Sequence, residues 1–341
     1  MANSYMITNR CVDGDQLSGK IDASNTSYFT SGKSGKALCS LAGWEKVSGV
    51  KFRETLTAEA ANFPTEDDVL AAEANNEDQK HVSLFIHGYN NSWIEAVERY
   101  QNIKKNIFTG AKGLGVPVLF TWPSNGNAAA YLPDREDARA TAPQLADVFV
   151  ELHDHLTKMQ RAAAISNIRN GSPEGSKQST VCRAKVSVIA HSMGNYVLQN
   201  ALAIASRKLN NPQLITLIHQ LVMVAADVDN DIFQTDKPSD GDGSLMSNLC
   251  YRISAMYTGL DQVLGASAGL KHFGIRRLGR SGLSERSNVW DNVLDMDVTR
   301  LVEGQSNIHS AVFDSAPARL LLTDVLRGVD RNILARNHLP N

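Results

Sequence analysis

No run of apolar residues in this 341-residue chain approaches the roughly 20 needed to cross a bilayer, so stable membrane insertion is not expected. The N-terminus has no charged start followed by an apolar segment. A secretory leader is therefore not expected either, and the chain reads as cytoplasmic. Charge of one sign is lacking: 34 Lys and Arg oppose 36 Asp and Glu, which gives no electrostatic footprint for nucleic acid or an anionic surface. The four cysteines, Cys11, Cys39, Cys182 and Cys250, are scattered and form no C-x-x-C, so free thiols in a reducing compartment are expected rather than bridges or zinc. What is present is a 43% hydrophobic chain, long enough for a large core.

The patterning predicts an α/β chain. Tyr5 to Thr8 reads as a short strand, and residues 13–49, rich in Gly, Ser and Asn, as loops and edge hairpins. Pro64 to Asp68 looks like a capped helix start. Compact apolar strands follow at Val82–Ile86, Val116–Trp122, Val186–Ala190, Leu221–Ala225, Tyr251–Tyr257 and Val289–Val298. Between them, apolar residues recur at helical spacing: Trp93, Ala96, Val97, Tyr100 and Ile103 after a Ser92/Glu95 capping box, and Leu145, Val148, Phe149 and Leu152 after Thr141 and Pro143. Residues 162–180 and 233–247 read as polar excursions, and Ser315 with Pro317 opens a closing helix that stops at Gly328. Strand alternating with helix implies a mostly parallel central sheet with helices on both faces. The reading is of one domain over 1–341, with 1–79 an N-terminal elaboration and 80–328 the catalytic core.

The chain is organised around Val186-Ser187-Val188-Ile189-Ala190-His191-Ser192-Met193-Gly194-Asn195. A β-branched run ends in small residues around one serine, and Val197, Leu198, Ala201, Leu202 and Ala205 then trace a helix. A strand-to-helix turn of this kind strains the central residue, and the flanking side chains are small because strand and helix nearly touch. A-x-S-x-G here replaces the usual G-x-S-x-G. The turn aims the serine hydroxyl above the sheet and turns the Met193 N–H toward a forming oxyanion. The competing reading is a plain helix cap.

A serine nucleophile needs a base and an acid that orients it, in the chain order serine, acid, histidine. Of the later histidines, His219 falls in or beside a strand, His272 in a basic Gly-rich loop and His338 in the tail. His309 alone follows the last strand, and it is the expected base. Asp261 and Asp227 both follow strands. Asp261 is favoured as the acid, with Asp227 the alternative. His87-Gly88-Tyr89-Asn90 follows an earlier strand, and Tyr89 is expected to give the second oxyanion N–H. His87, Gly88 and Trp122 are expected to line the substrate pocket. All of these residues follow strands, where ligands bind in such sheets.

Taken together, His87-Gly88-Tyr89-Asn90, Trp122-Pro123-Ser124, the serine segment, Ala226-Asp227-Val228-Asp229 and His309 resemble a bacterial α/β-hydrolase family, esterase/lipase-like and of unknown function. The resemblance covers roughly residues 80–315 and extends more weakly to Ile7-Thr8-Asn9-Arg10. It implies the α/β-hydrolase fold and the triad Ser192, Asp261 and His309. The residues beside Asp261 depart from the family's pattern, which keeps Asp227 open. The expected function is cleavage of a carboxylic ester in a small-molecule or lipid-like substrate, with no cofactor required. Thioester, phospholipid and amide substrates use the same machinery. The alternative is a non-catalytic binding protein on a hydrolase scaffold.

Overall fold

The structure is a computed structural model that describes residues 3–60, 63, 80–110, 113–124, 131–169, 185–209, 216–236 and 241–339. Alternating residues of each central strand are apolar on both faces, so the strands must be covered on both sides. The strands are β1 (Ser4–Thr8), β2 (Arg10–Asp13), β3 (Gln16–Ile21), β4 (Ser27–Ser31), β5 (Glu45–Val47), β6 (His81–Ile86), β7 (Gly115–Thr121), β8 (Lys185–His191), β9 (Ile218–Val224), β10 (Cys250–Tyr257) and β11 (Val293–Asp297). Nine of them form one sheet in the order β11-β10-β9-β8-β6-β7-β1-β4-β5. Every pairing from β11 to β1 is parallel, and β4 and β5 extend the β1 edge in antiparallel register.

On one face, Leu84, Ile86, Val188, Ala190, Leu221 and Met223 pack with helices α1 (Gly49–Ala60), α3 (Tyr131–Arg169) and α4 (Gly194–Lys208). On the other, Phe85, Leu119, Ile189 and Val222 pack with α2 (Trp93–Ile103) and with the helix Ala316–Arg327. The parallel strands all end on one rim, which carries the loops after β6, β7, β8, β9 and β10. Among the described residues no helix is long and apolar enough to cross a membrane.

The edge pairing expected within residues 13–49 is present: β2 and β3 pair antiparallel, and β4 and β5 pair antiparallel at the edge of the main sheet, where the burial of Ser27–Ser31 alternates. Three sequence expectations are corrected. Helix α3 starts at Tyr131, not at Thr141, and contains Pro143. Tyr131, Ala138, Ala142, Leu145 and Phe149 form one buried stripe across the proline, and that packing outweighs one lost backbone bond. The same helix runs to Arg169, into the expected excursion, and Gly241–Leu249 is helical within the second one. His338 is not in a loose tail but in helix Arg331–His338, its Nε2 2.8 Å from an Asp324 oxygen. The expected helix start at 64–68 lies outside the described residues.

Candidate active site

The strand β8 breaks at Ser192, whose φ of 53° lies in the left-handed region that a non-glycine residue rarely occupies. The turn is held from several sides. Ser192 N–H donates to Val224 O at 3.0 Å, Asp227 N–H donates to Ser192 O at 3.2 Å, and the buried Asn195 amide donates to Ala190 O and Ser192 O. Gly194 is required by crowding: a Cβ there would lie 2.5 Å from the His87 carbonyl oxygen. The Ser192 hydroxyl has no hydrogen-bond partner among the described residues.

The loop after β10 carries Asp261, which is fully buried. One of its carboxylate oxygens caps the short helix that follows, accepting from Leu264 N–H at 3.0 Å. The other lies 2.7 Å from His309 Nδ1. A carboxylate accepts only, so His309 Nδ1–H is the donor, and Nε2 is the ring nitrogen outside this contact. Neither that nitrogen nor the Ser192 hydroxyl has a hydrogen-bond partner among the described residues; bonds between a base and its nucleophile commonly tighten only when substrate binds. His191, immediately before Ser192, ties the two regions together. Its Nε2–H donates to the His309 carbonyl oxygen at 2.9 Å, and the two rings lie 4.9 Å apart. Burial, with His309 beside it, holds the His191 pKa well below the usual histidine value, so the ring is neutral.

The loop after β6 packs against the serine. A Cβ on Gly88 would lie 2.7 Å from the Ser192 Cβ. A chain of side chains beneath fixes the Gly88–Tyr89 peptide. Arg10 Nε–H donates to Thr121 Oγ1 at 3.0 Å, and the Thr121 hydroxyl lies 3.0 Å from His87 Nε2. Trp122 N–H also donates to His87 Nε2, so that nitrogen is an acceptor and Nδ1–H donates to Gly88 O at 2.8 Å. Burial, with Arg10 nearby, lowers the His87 pKa to about 3. The Asn91 amide donates to Gly88 O and Tyr89 O. A trans peptide points its N–H opposite to its C=O, so binding the Gly88 carbonyl turns the Tyr89 N–H away from this network. At the elbow, Met193 N–H has no hydrogen-bond partner among the described residues. Arg10 is 3% exposed and also donates to Ser18 O, Ser124 O and Asn91 O. Its burial lowers its pKa to about 9, opposed by the charges of Asp134 and Asp137.

Asp227, the alternative acid, belongs to a different cluster. The fully buried Arg277 donates to its carboxylate at 2.8 Å and to its carbonyl, and also binds Asp229. Tyr131 and Ser267 hydroxyls donate to the same carboxylate at 2.7 and 3.1 Å. Burial alone would raise the Asp227 pKa, but Arg277, Tyr131, Arg135 and His272 together bring it below the usual value.

The structure thus brings His309 to Asp261 and not to Asp227. It sets Gly88 against Ser192, with Tyr89 on the same loop. The expectation that His87 and Trp122 line a pocket is corrected. They are 1% and 0% exposed and stack 5.5 Å apart, and the indole N–H donates to His87 O. A buried indole needs a partner for its N–H, and it finds one in the backbone it supports. Arg10, Thr121, His191 and Arg277 were not singled out as site residues in the sequence. Arg10 directly after an apolar strand and Arg277 after a Gly-rich loop were the only signals available. Among the described residues no group of three or more His, Cys, Asp or Glu side chains has a metal-holding arrangement.

Among proteins of known sequence, "Uncharacterized protein alr1448" of Nostoc sp. is 28% identical over 159 residues, 40% of this chain. This chain spans about a third (35%) of that relative's length. Among solved structures, a Pyrobaculum calidifontis esterase is similar at a TM-score of 0.35 and 12% identity, over 75% of this chain and 78% of its own. Aspergillus fumigatus lipase B is similar at 0.39 and 12%, over 81% and 63%. Likenesses this distant carry no statement about substrate. Residues 64–165 and 177–326, well over half of the chain, match the family described as "Alpha/beta hydrolase of unknown function (DUF900)", and this chain belongs to that family.

Proposed function

We propose that the protein is a serine hydrolase that cleaves a carboxylic ester, or a related acyl bond, through Ser192, His309 and Asp261. The observation that carries this reading is the 2.7 Å Asp261–His309 contact, tied through His191 to a serine held at positive φ. Ser192 Oγ attacks the acyl carbonyl carbon while its proton passes to His309 Nε2. Asp261 holds the imidazole in the required tautomer and stabilises the imidazolium. The carbonyl oxygen takes up the negative charge, and the N–H groups of Met193 and Tyr89 bind it. The tetrahedral intermediate collapses, the C–O bond to the alcohol breaks, and His309 returns the proton to the leaving oxygen. Water then repeats the sequence on the acyl-enzyme, releasing the carboxylic acid and restoring Ser192. No step requires a metal or an organic cofactor.

Arg10, Thr121 and His87 act in this scheme as positioning residues for the oxyanion loop, and His191 as one for the loop that carries the base. Hydrolysis of p-nitrophenyl acetate and butyrate tests the reading. Wild type is expected to turn over, with Ser192→Ala at the uncatalysed rate. Equal rates for the two proteins, or no turnover by wild type, would favour the binding-protein reading.

A further inference from the structure

A cavity of about 510 Å³ opens beside His309, Tyr89 and His191. In the proposed reaction His309 returns the proton to the departing oxygen, and this cavity, which His309 and Tyr89 line, is the candidate seat of the leaving group. Its wall is unlike an acyl tunnel. Carboxamides of Asn90, Asn102 and Asn307 and the carboxylates of Glu95, Glu98 and Asp314 line it, and Val263 is its one aliphatic residue among the described residues. The single guanidinium, Arg99, is already engaged. It donates to Asp314 at 2.8 Å and lies 5.5 Å over the Phe313 ring. Glu95 is held by its capping box with Ser92, through neutral donors that leave its charge in place. Glu98 has no ion-pair or hydrogen-bond partner among the described residues. Three carboxylates against one paired cation give the cavity a negative field.

An alkyl chain seated here would strip water from these amides and carboxylates and offer nothing in return. Glu95, Glu98 and Asp314 are exposed, so an anionic leaving group would meet like charge at a solvated wall, an effect that salt weakens. An alcohol bearing hydroxyl donors or a positive charge would satisfy both. Resting on the proposed hydrolase reading, we infer that the substrate is an ester of a hydrophilic, non-anionic alcohol, a polyol or an amino alcohol, and that Glu98 is a specificity-determining residue for its charge.

The test holds the acyl group constant and varies the alcohol: glycerol monobutyrate, butyrylcholine, n-octyl butyrate and the butyrate ester of glycolate. Labelling of Ser192 by a fluorophosphonate is measured on the same preparation. The expected kcat/KM is at least tenfold higher for the glycerol and choline esters than for the octyl and glycolate esters. Glu98→Gln is expected to lower butyrylcholine turnover about fivefold more than glycerol monobutyrate turnover. A preference for the octyl or glycolate ester, equal rates across the set, or labelling at Ser192 with no turnover of any of the four would overturn the inference. Absence of labelling at Ser192 would instead remove the hydrolase reading on which it rests.

Discussion

Two aspartates leave neighbouring strands on the same rim, both buried, and they have met different partners. Asp227, after β9, is bound to the permanent cation of Arg277 and to two hydroxyls. Asp261, after β10, faces His309. A carboxylate on a guanidinium has its charge balanced in the resting protein, and little is left to gain during a reaction. A carboxylate on a neutral imidazole gains when that imidazole becomes charged, which is the differential a transition state needs. On the proposed reading the Asp227 cluster holds the rim together, and the Asp261 pair serves the reaction.

The sharpest way to break this contrast is to neutralise each carboxylate in turn. Asp261→Asn is expected to lower kcat about 10⁴-fold, by favouring the wrong imidazole tautomer, with little change in melting temperature. Asp227→Asn is expected to do the reverse. It leaves Arg277 buried without its main counter-charge, at a cost of about 3–5 kcal/mol in urea denaturation, while the folded fraction keeps most of its turnover. A stable but inactive Asp227→Asn would reverse the roles.

Next in size is Gly88→Ala. Its new Cβ would fall 2.7 Å from that of Ser192, so the oxyanion loop must withdraw. Esterase kcat is expected to fall about 10²-fold, comparable to losing one oxyanion donor, with KM nearly unchanged. Thr121→Val cuts the relay between Arg10 and His87 while keeping the shape. An approximately tenfold loss in kcat and a stability cost of about 1–3 kcal/mol are expected, chiefly from the buried Arg10 Nε–H left unpaired, since His87 Nε2 keeps its bond from Trp122 N–H. A loss of stability with kcat untouched would make the relay purely structural.

A separate contrast lies in the pH dependence of stability. Burial lowers the pKa of His81 and His87 to about 3 and that of His191 well below 6.5. In the unfolded chain these rings bind protons near pH 6.5, whereas in the folded chain they do not. Stability is therefore complete above that value and falls as pH drops below it. Asp227, with its pKa lowered from 3.8, adds stability that is lost only at still lower pH. Thermal melts between pH 8 and 4.5 should show a falling midpoint below about pH 6.5. A flat profile would mean that the buried rings are charged in the folded protein.

The rim was legible in the sequence because each of its residues sits where an apolar run stops. Val186 to Ala190, Leu221 to Ala225 and Tyr251 to Tyr257 mark the strands, and the residue after each is on the rim by topology alone. The small residues around Ser192 likewise reflect a local clash, at Gly194, that any chain making this turn must avoid. Contacts between distant segments were not legible. Nothing near Trp122 in sequence says that its indole will donate to the His87 carbonyl rather than face substrate. Nothing near Arg10 says that it will end beneath Asn91 and Ser124. Pro143 misled for the opposite reason: its local preference to start a helix was overridden by a buried stripe that begins at Tyr131.

The central claim is that Ser192 is a nucleophile activated by His309. Its most direct test is the rate of fluorophosphonate labelling in wild type and His309→Ala, with the modified peptide mapped by mass spectrometry. One phosphonyl group on Ser192 in wild type, and labelling slowed by at least about 10³-fold in His309→Ala, are the predicted results. An adduct at another residue, or equal labelling rates in the two proteins, would contradict the account.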